Sequence, residues 1–275
     1  MSTAFTEPAK KHLGQNFLHD RSVIDKIVQA VAAKPGDVIV EIGPGQGALT
    51  FPLLDRHGAL TAIEFDRDLL EPLTAAAKSH GELTLINSDV MNVDFTDLAA
   101  GTPFRLVGNL PYNLSSPILF HALDHAAVVC DMHFMLQKEV VDRMAAGPGS
   151  KVYGRLSVML QAYCTVTALF MVPPGAFRPP PKVDSAVVRL VPHPRGQVGI
   201  DDPRRFADIV RAAFGQRRKT LRNALSSVCA AEEIVRAGID PQSRAEQVAV
   251  ADFIALANLA AAPLAASDEA ATGKA

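Results

Sequence analysis

Apolar and polar positions along this chain switch between two periods, and the switching predicts an architecture. After Asp20, a residue type that caps helices, Val23, Ile24, Ile27, Val28 and Val31 recur at helical spacing, so they share one face of a helix that Pro35-Gly36 stops. The following run, DVIVEI, is bounded by glycines and reads as a buried parallel strand. The alternation repeats through a helix (ALTFPLLDR), a strand (ALTAIE), a helix (RDLLEPLTAAAK), the strands ELTLIN and FRLVGN, a helix after Ser115-Ser116, the strand MHFML and a helix from Gln137. Strands alternating with helices predict right-handed βαβ units in a doubly wound α/β sheet. Ligands of such a sheet gather at the carboxyl ends of its strands.

Past Gly147 the order changes to a helical stretch (GRLSVMLQAY), a strand (CTVTALFMV), a proline loop (PPGAFRPPPK) and another strand (VDSAVVRLV). No crossover helix joins those last strands, so antiparallel pairing is expected. PHPRGQVGIDDP reads as a linker into a helical tail of three or four short helices ending in QVAVADFIALANLA. The division expected is therefore a main domain over residues 10–193 and a helical domain over 200–262. Residues 1–9 and 263–275 are small, polar and aperiodic and read as disordered.

Composition adds exclusions. A chain of 275 residues suffices for one large α/β domain and a small second one. It contains no apolar run of membrane-spanning length, and MSTAFTEPAKKH lacks the apolar core of a signal peptide, so a cytoplasmic protein is expected. Three scattered cysteines without CxxC, and histidines without HExxH, argue against disulfides and zinc. The net charge of -2 makes no global case for a nucleic-acid partner. A local case lies between Arg204 and Arg222, with seven basic residues against the single acid Asp208. That segment is either a solvated helix face or a phosphate-binding surface.

Candidate chemistry begins at VIVEIGPGQGALT, where Gly43, Gly45 and Gly47 stand between a strand and a helix. Glycines there let the backbone turn and approach a ligand, with helix N–H groups as donors. GPGQGA also satisfies the dinucleotide pattern, which keeps a nicotinamide enzyme open. Glu64 closes the second strand 21 positions after Gly43, where a carboxylate accepts from both ribose hydroxyls. Asp89, after the third strand, offers an acceptor for an adenine amine, and Glu41 adds a carboxylate beside the glycines. Each carboxylate alone is equally a cap or turn residue. In succession they would repel a pyrophosphate and suit a ligand with sulfonium and ammonium groups, which points to S-adenosylmethionine.

The strand FRLVGN runs directly into Leu110, Pro111 and Tyr112. An exocyclic adenine amine is a poor nucleophile because its lone pair is delocalised. Acceptors for both of its N–H bonds favour a pyramidal nitrogen whose lone pair is available, which is stabilisation of the transition state. Asn109 supplies a side-chain carbonyl as one acceptor. Pro111 biases Leu110 toward an extended conformation that presents its carbonyl as the second. Tyr112 offers a face on which an unstacked base can lie. No metal or covalent intermediate is needed.

With these residues in place, the chain resembles the ribosomal RNA adenine dimethyltransferase family from Lys11 to about Ala260. The resemblance is carried by KHLGQNFLHD, EIGPGQGALT, IEFDRDL, NSDVMNVDF, GNLPYNLSSPIL, QKEVVDRMAAGPGSKVYGRLSV, FRPPPKVDSAVVRL and AAFGQRRKTLRNAL. It implies a class I S-adenosylmethionine-dependent methyltransferase with a small C-terminal all-helical domain. Such an enzyme places two methyl groups on N6 of each of two adjacent adenosines in the hairpin near the 3′ end of 16S rRNA, within immature small ribosomal subunits. By the same resemblance Asn16 and Leu18 line the cofactor site beside Gly43, Gly45, Glu64, Asp89 and Asn109. Phe177 flanks the target base opposite Tyr112; packing against its own prolines is the alternative. Arg217, Arg218, Lys219 and Arg222 face RNA, with Lys10, Lys11 and Arg178 extending that surface. A monomer is expected, since no heptad or repeat signals a dimer. The alternatives left open are a large-subunit rRNA dimethyltransferase of the resistance type and an RNA-binding assembly or transcription factor with secondary methyltransferase activity.

Overall fold

The computed structural model describes Lys10 and residues 14–112, 114–194, 197–216 and 218–259. Lys11, Arg217 and the terminal segments read as disordered lie outside the described residues. The chain divides into two compact units, one formed by the chain up to Ala145 together with Tyr163–Arg195, the other by Ala146–Ala162 with the C-terminal remainder. Ala146–Ala162, which the sequence places inside the first domain, thus clusters with the second unit.

In the first unit, β1 (Phe17–Leu18) precedes α1 (Arg21–Val31). The Asp20 carboxylate starts α1 by accepting the N–H groups of Ser22 at 2.9 Å and Val23 at 3.2 Å. Val23, Ile27, Val28 and Val31 are buried on its inner face, while Ile24 is only partly buried. The helix ends short of Pro35, because Ala32 turns into the left-handed region (φ 47°) and Asp37 accepts the Lys34 N–H at 2.8 Å to shape the loop.

Next come β2 (Val38–Ile42), α2 (Thr50–His57), β3 (Ala59–Glu64), α3 (Leu70–Ala77), β4 (Glu82–Asn87), α4 (Phe95–Ala99), β5 (Phe104–Asn109), α5 (Ser115–Asp124), β6 (Val129–Gln137) and α6 (Lys138–Ala145). The short α4, which the periodicity does not announce, is started by Asp94 accepting from Thr96 and Asp97. β4, β3, β2, β5 and β6 pair in parallel in that order. β9 (Ser185–Pro192) then pairs antiparallel with β6, and β7 (Cys164–Val172) antiparallel with β9 on the outside. The expected antiparallel pair is present, and its later strand inserts between the earlier one and the parallel sheet.

The chain leaves β2 toward β3 and β4, then returns to place β5 on the other side of β2. This reversal opens a crevice at the carboxyl ends of β2 and β5. Gly108 permits the two strands to close up there: a Cβ on it would lie 2.6 Å from the Ile42 carbonyl oxygen. Beneath the crevice, Leu53 and Leu54 of α2 are at most 1% exposed and pack with the apolar face of α1, each contributing about 2 kcal/mol by removal from water. β8 (Phe177–Arg178) pairs antiparallel with β1 in a separate two-stranded sheet. Two-residue strands carry no period, so this pairing was not predictable from the pattern.

The second unit contains α7 (Arg155–Gln161), α8 (Pro203–Gly215), α9 (Leu221–Ala224), α10 (Ala231–Arg236) and α11 (Val250–Asn258). Phe206, Ile209, Val210 and Ala213 form the buried face of α8, which packs on α11 through Phe253, Leu256 and Ala257. The Tyr153 hydroxyl donates to the Val248 carbonyl at 2.9 Å, and its ring meets Phe214 edge-on. At 13 residues α8 is longer than the short helices expected for this region. Among the described residues no helix is long and apolar enough to cross a membrane.

Candidate active site

A cavity opens at the switch point, lined by Gly14–Leu18, the turn after β2, the ends of β3 and β4, and Asn109–Tyr112 after β5. The structure therefore brings together Asn16, Leu18, Gly43, Gly45, Glu64, Asp89, Asn109, Leu110, Pro111 and Tyr112. Gly45 shows why the turn is built of glycine. Its φ is 56°, a Cβ would press on the Phe17 ring at 3.2 Å, and its N–H donates to Glu64 Oε2 at 3.2 Å.

Three carboxylates face this space in different states. Glu64 Oε1 also accepts the Asp66 N–H at 2.7 Å; burial nevertheless pushes the Glu64 carboxyl up, against these hydrogen bonds. Glu41 is 2% exposed and accepts the Thr50 hydroxyl at 2.6 Å, and burial pushes it up to about 8. The negative charge of the cavity is accordingly smaller than three carboxylates suggest. Asp89 combines both readings of the sequence: it caps the turn Val90–Asn92 by accepting the Met91 N–H at 3.0 Å, and it lines the cavity.

Asn109 is oriented from outside its own strand. Its Nδ2 donates to the Asn16 carbonyl at 3.0 Å, which leaves Oδ1 as the accepting end of the amide. Beyond it, the Leu110 N–H donates to Met135 at 3.2 Å, and the Ser115 hydroxyl donates to the carbonyls of Pro111 and Tyr112. Among the described residues nothing donates to the Leu110 carbonyl. The half-buried Tyr112 is held through its hydroxyl, 2.7 Å from Ser185 Oγ on β9. Ser185 is fully buried.

Phe177 is not brought to the cavity. Its ring is 2% exposed, lies in the core cluster with Leu18, Val172 and Val187, and its strand faces Leu18 across the β1–β8 pair. An apolar ring at the end of a two-residue strand gains more from that burial than from standing in water. Arg178 beside it is exposed. In the second unit Arg218, Lys219 and Arg222 are exposed without acidic partners among the described residues, whereas Arg205 is bound to Glu233 at 2.7 Å and Arg211 to Asp208 at 2.6 Å. Lys10 is not a free cation either, because its Nζ lies 2.6 Å from both Asp66 and Asp68.

Three contributors escaped the sequence reading. Phe65 lines the cavity with its ring 61% exposed, a flat apolar face next to Glu64. Ser185 anchors Tyr112, and Asp66 holds Lys10 and Gln15. Only Phe65 had a signal, an aromatic one position past the strand-end carboxylate Glu64. Among the described residues no three His, Cys, Asp or Glu side chains converge as a metal ion would require.

Comparison with known proteins places this architecture. Residues 6–262 match the family described as ribosomal RNA adenine dimethylase. Curated relatives from Xanthomonas oryzae pv. oryzae and Xanthomonas campestris pv. campestris, both named ribosomal RNA small subunit methyltransferase A, are 73% identical over 259 residues, covering 94% of this chain and 99% of theirs. Among solved structures, a dimethyladenosine transferase from Plasmodium falciparum superposes with a TM-score of 0.76 at 25% identity, covering 87% of this chain and 95% of that one. The 23S rRNA methyltransferase ErmE superposes at 0.70 and 25% identity, covering 88% and 98%. The doubly wound sheet is that of the class I methyltransferases, and the chain belongs to the ribosomal RNA adenine dimethylase family.

Proposed function

We propose that this protein dimethylates N6 of two adjacent adenosines in the hairpin near the 3′ end of 16S rRNA, in immature small subunits of the cytoplasm, with S-adenosylmethionine as donor. The observation that carries the reading is the pair of uncharged acceptors, Asn109 Oδ1 and the Leu110 carbonyl, in the lining of a cavity that also holds the carboxylates Glu41, Glu64 and Asp89. The 73% identity to relatives named for the small subunit, against 25% to a large-subunit enzyme, supports the small-subunit target.

The donor set suits the cofactor. Glu64, beside the exposed face of Phe65, is placed for ribose hydroxyls, Asp89 for an adenine amine, and Glu41 for the cationic end; Asn16, Leu18, Gly43 and Gly45 form the wall around them. When bound, S-adenosylmethionine supplies an electrophilic methyl group on a cationic sulfur. The protein's part is to hold the adenine amine: Asn109 and Leu110 accept its two N–H bonds and favour the pyramidal nitrogen. Neutral acceptors suffice because the nitrogen becomes strongly acidic only once alkylated, and its proton then passes to water. Proximity and alignment carry most of the acceleration.

Stacking of the extruded base falls to Tyr112, while Phe177 supports the wall from within the core; it would flank the base only by leaving that core. Arg178, Arg217, Arg218, Lys219 and Arg222 contact phosphates, which positions the enzyme without reading bases. Because Ser185 fixes the Tyr112 ring, Ser185→Ala is expected to lower kcat/KM for small subunits about fivefold, the cost of one hydrogen bond, without moving the cofactor Kd. An unchanged kcat/KM would show that the ring needs no anchor.

The function itself is tested with isotope-labelled cofactor, offered with immature small subunits or with large-subunit RNA, followed by mapping of the labelled nucleotide. Label on two adjacent adenosines near the 3′ end of 16S rRNA is expected. Label confined to large-subunit RNA would reverse the assignment.

A further inference from the structure

The loop 178–184 (RPPPKVD) is pinned at both ends to groups that border the cavity. At its start Phe177 and Arg178 pair with Leu18 and Phe17, two residues of the cavity lining, and the His19 N–H donates to the Ala176 carbonyl at 2.9 Å. At its end the Asp184 carbonyl accepts the Lys138 N–H at 2.9 Å, and the next residue, Ser185, holds the Tyr112 hydroxyl at 2.7 Å. Between these pins Pro179, Pro180 and Pro181 have fixed φ and no N–H, which narrows the loop's freedom further. Two exposed cations stand on this stiff bracket, Arg178 and Lys182, and neither is ion-paired among the described residues. The loop's single acid, Asp184, is exposed and paired with neither, while Lys138 beside it is neutralised by Asp142 at 2.5 Å.

We infer that Lys182 acts with Arg178 as a clamp on the RNA backbone, holding the phosphates that flank the extruded adenosine. The inference deepens the RNA-dimethylation reading and rests on it. The ionisable side chains of the cavity lining, Glu41, Glu64 and Asp89, are all acids and offer a phosphate no cation, so a base lying on Tyr112 leaves its phosphates outside the mouth. The ring of Tyr112 is anchored by Ser185, three positions past Lys182, so the loop carries its cations beside that anchor. Contacts of this kind carry no base information; they set which nucleotide stands at the mouth. Because the bracket is held before RNA arrives, little ordering of its backbone is left to oppose binding.

The test uses the full chain and immature small subunits, comparing the wild type with Lys182→Gln, Arg178→Gln, the double variant and Lys78→Gln. Lys78 ends α3 just ahead of β4, so it lies toward the amino ends of the strands, away from the cavity. All three side chains are exposed, so the changes leave the core intact. Binding is measured between about 50 and 200 mM KCl at fixed magnesium. Each loop variant is expected to weaken binding about threefold and to flatten the slope of log affinity against log salt by about 0.7–0.9, the counterions of one phosphate, and the double variant by about twice that. The kcat at saturating subunits and the Kd for S-adenosylmethionine stay within about twofold of wild type, since the clamp touches neither the amine nor the donor. Lys78→Gln leaves affinity and slope unchanged. An unmoved slope in Lys182→Gln, or an equal flattening in Lys78→Gln, overturns the clamp. A loss of cofactor affinity in the loop variants also overturns it, because the cations would then serve the donor. A wild type that labels no small-subunit adenosine overturns the reading beneath it.

Discussion

Asn109→Ala is expected to lower methyl transfer by about 10²–10³-fold, the usual cost of deleting one preorganised polar group at a reacting centre, while leaving binding to small subunits within about threefold. The two readouts separate because, on the proposed reading, the amide accepts from the base amine while it donates to the Asn16 carbonyl, whereas affinity for RNA would rest on phosphate contacts made elsewhere. Asn109 has two duties, and Asn109→Asp distinguishes them. A carboxylate still accepts from the amine but cannot donate to the Asn16 carbonyl, and the present 3.0 Å contact turns repulsive. The Asp variant is therefore expected to weaken cofactor binding as well as turnover. Single-turnover kinetics with a parallel subunit-binding assay provide the check, and full turnover by Asn109→Ala would remove the amide from the mechanism.

Glu41→Gln is expected to flatten the pH dependence of stability. Burial raises the Glu41 carboxyl to about 8, with the Glu64 charge adding to the rise and the Thr50 hydroxyl opposing it. Between the unfolded value of 4.5 and about 8 the folded state holds a proton that the unfolded chain has released. Stability from this group is therefore full at low pH, falls as pH rises through that window, and levels off above it. The loss is on the order of a few kcal/mol, and glutamine, neutral throughout and able to accept from Thr50, avoids it. Urea unfolding at pH 6 and pH 9 should show the variant gaining on the wild type at the higher pH; parallel profiles would mean that Glu41 is already ionised at pH 6. A cationic ligand beside Glu41 favours its charged form, so wild-type affinity for S-adenosylmethionine should rise with pH toward 8 while that of the variant stays level.

Much of the first unit was legible because central strands such as β5 and β6 are buried on both faces and write themselves as apolar runs, as in FRLVGN and MHFML. The candidate site was legible wherever chemistry sits at a strand end: Glu64 and Asn109 close β3 and β5, Asp89 follows β4, and all three line one cavity. What escaped were contacts between segments distant in sequence. Nothing near Asp66 announces Lys10 and Gln15, nothing near Tyr112 announces Ser185, and the β1–β8 pair that carries Leu18 and Phe177 is too short to have a period. Phe177 illustrates the remaining limit. An aromatic in a proline loop can stack on a base or fill a core, and only burial distinguishes them; here the ring is in the core.

A crystal structure of the chain with S-adenosylmethionine would show where the donor sits. The ribose is expected against Glu64 and the sulfonium methyl facing the space beside Asn109 Oδ1 and the Leu110 carbonyl. A cofactor seated elsewhere, or with its methyl turned away from those two oxygens, would contradict the proposed mechanism.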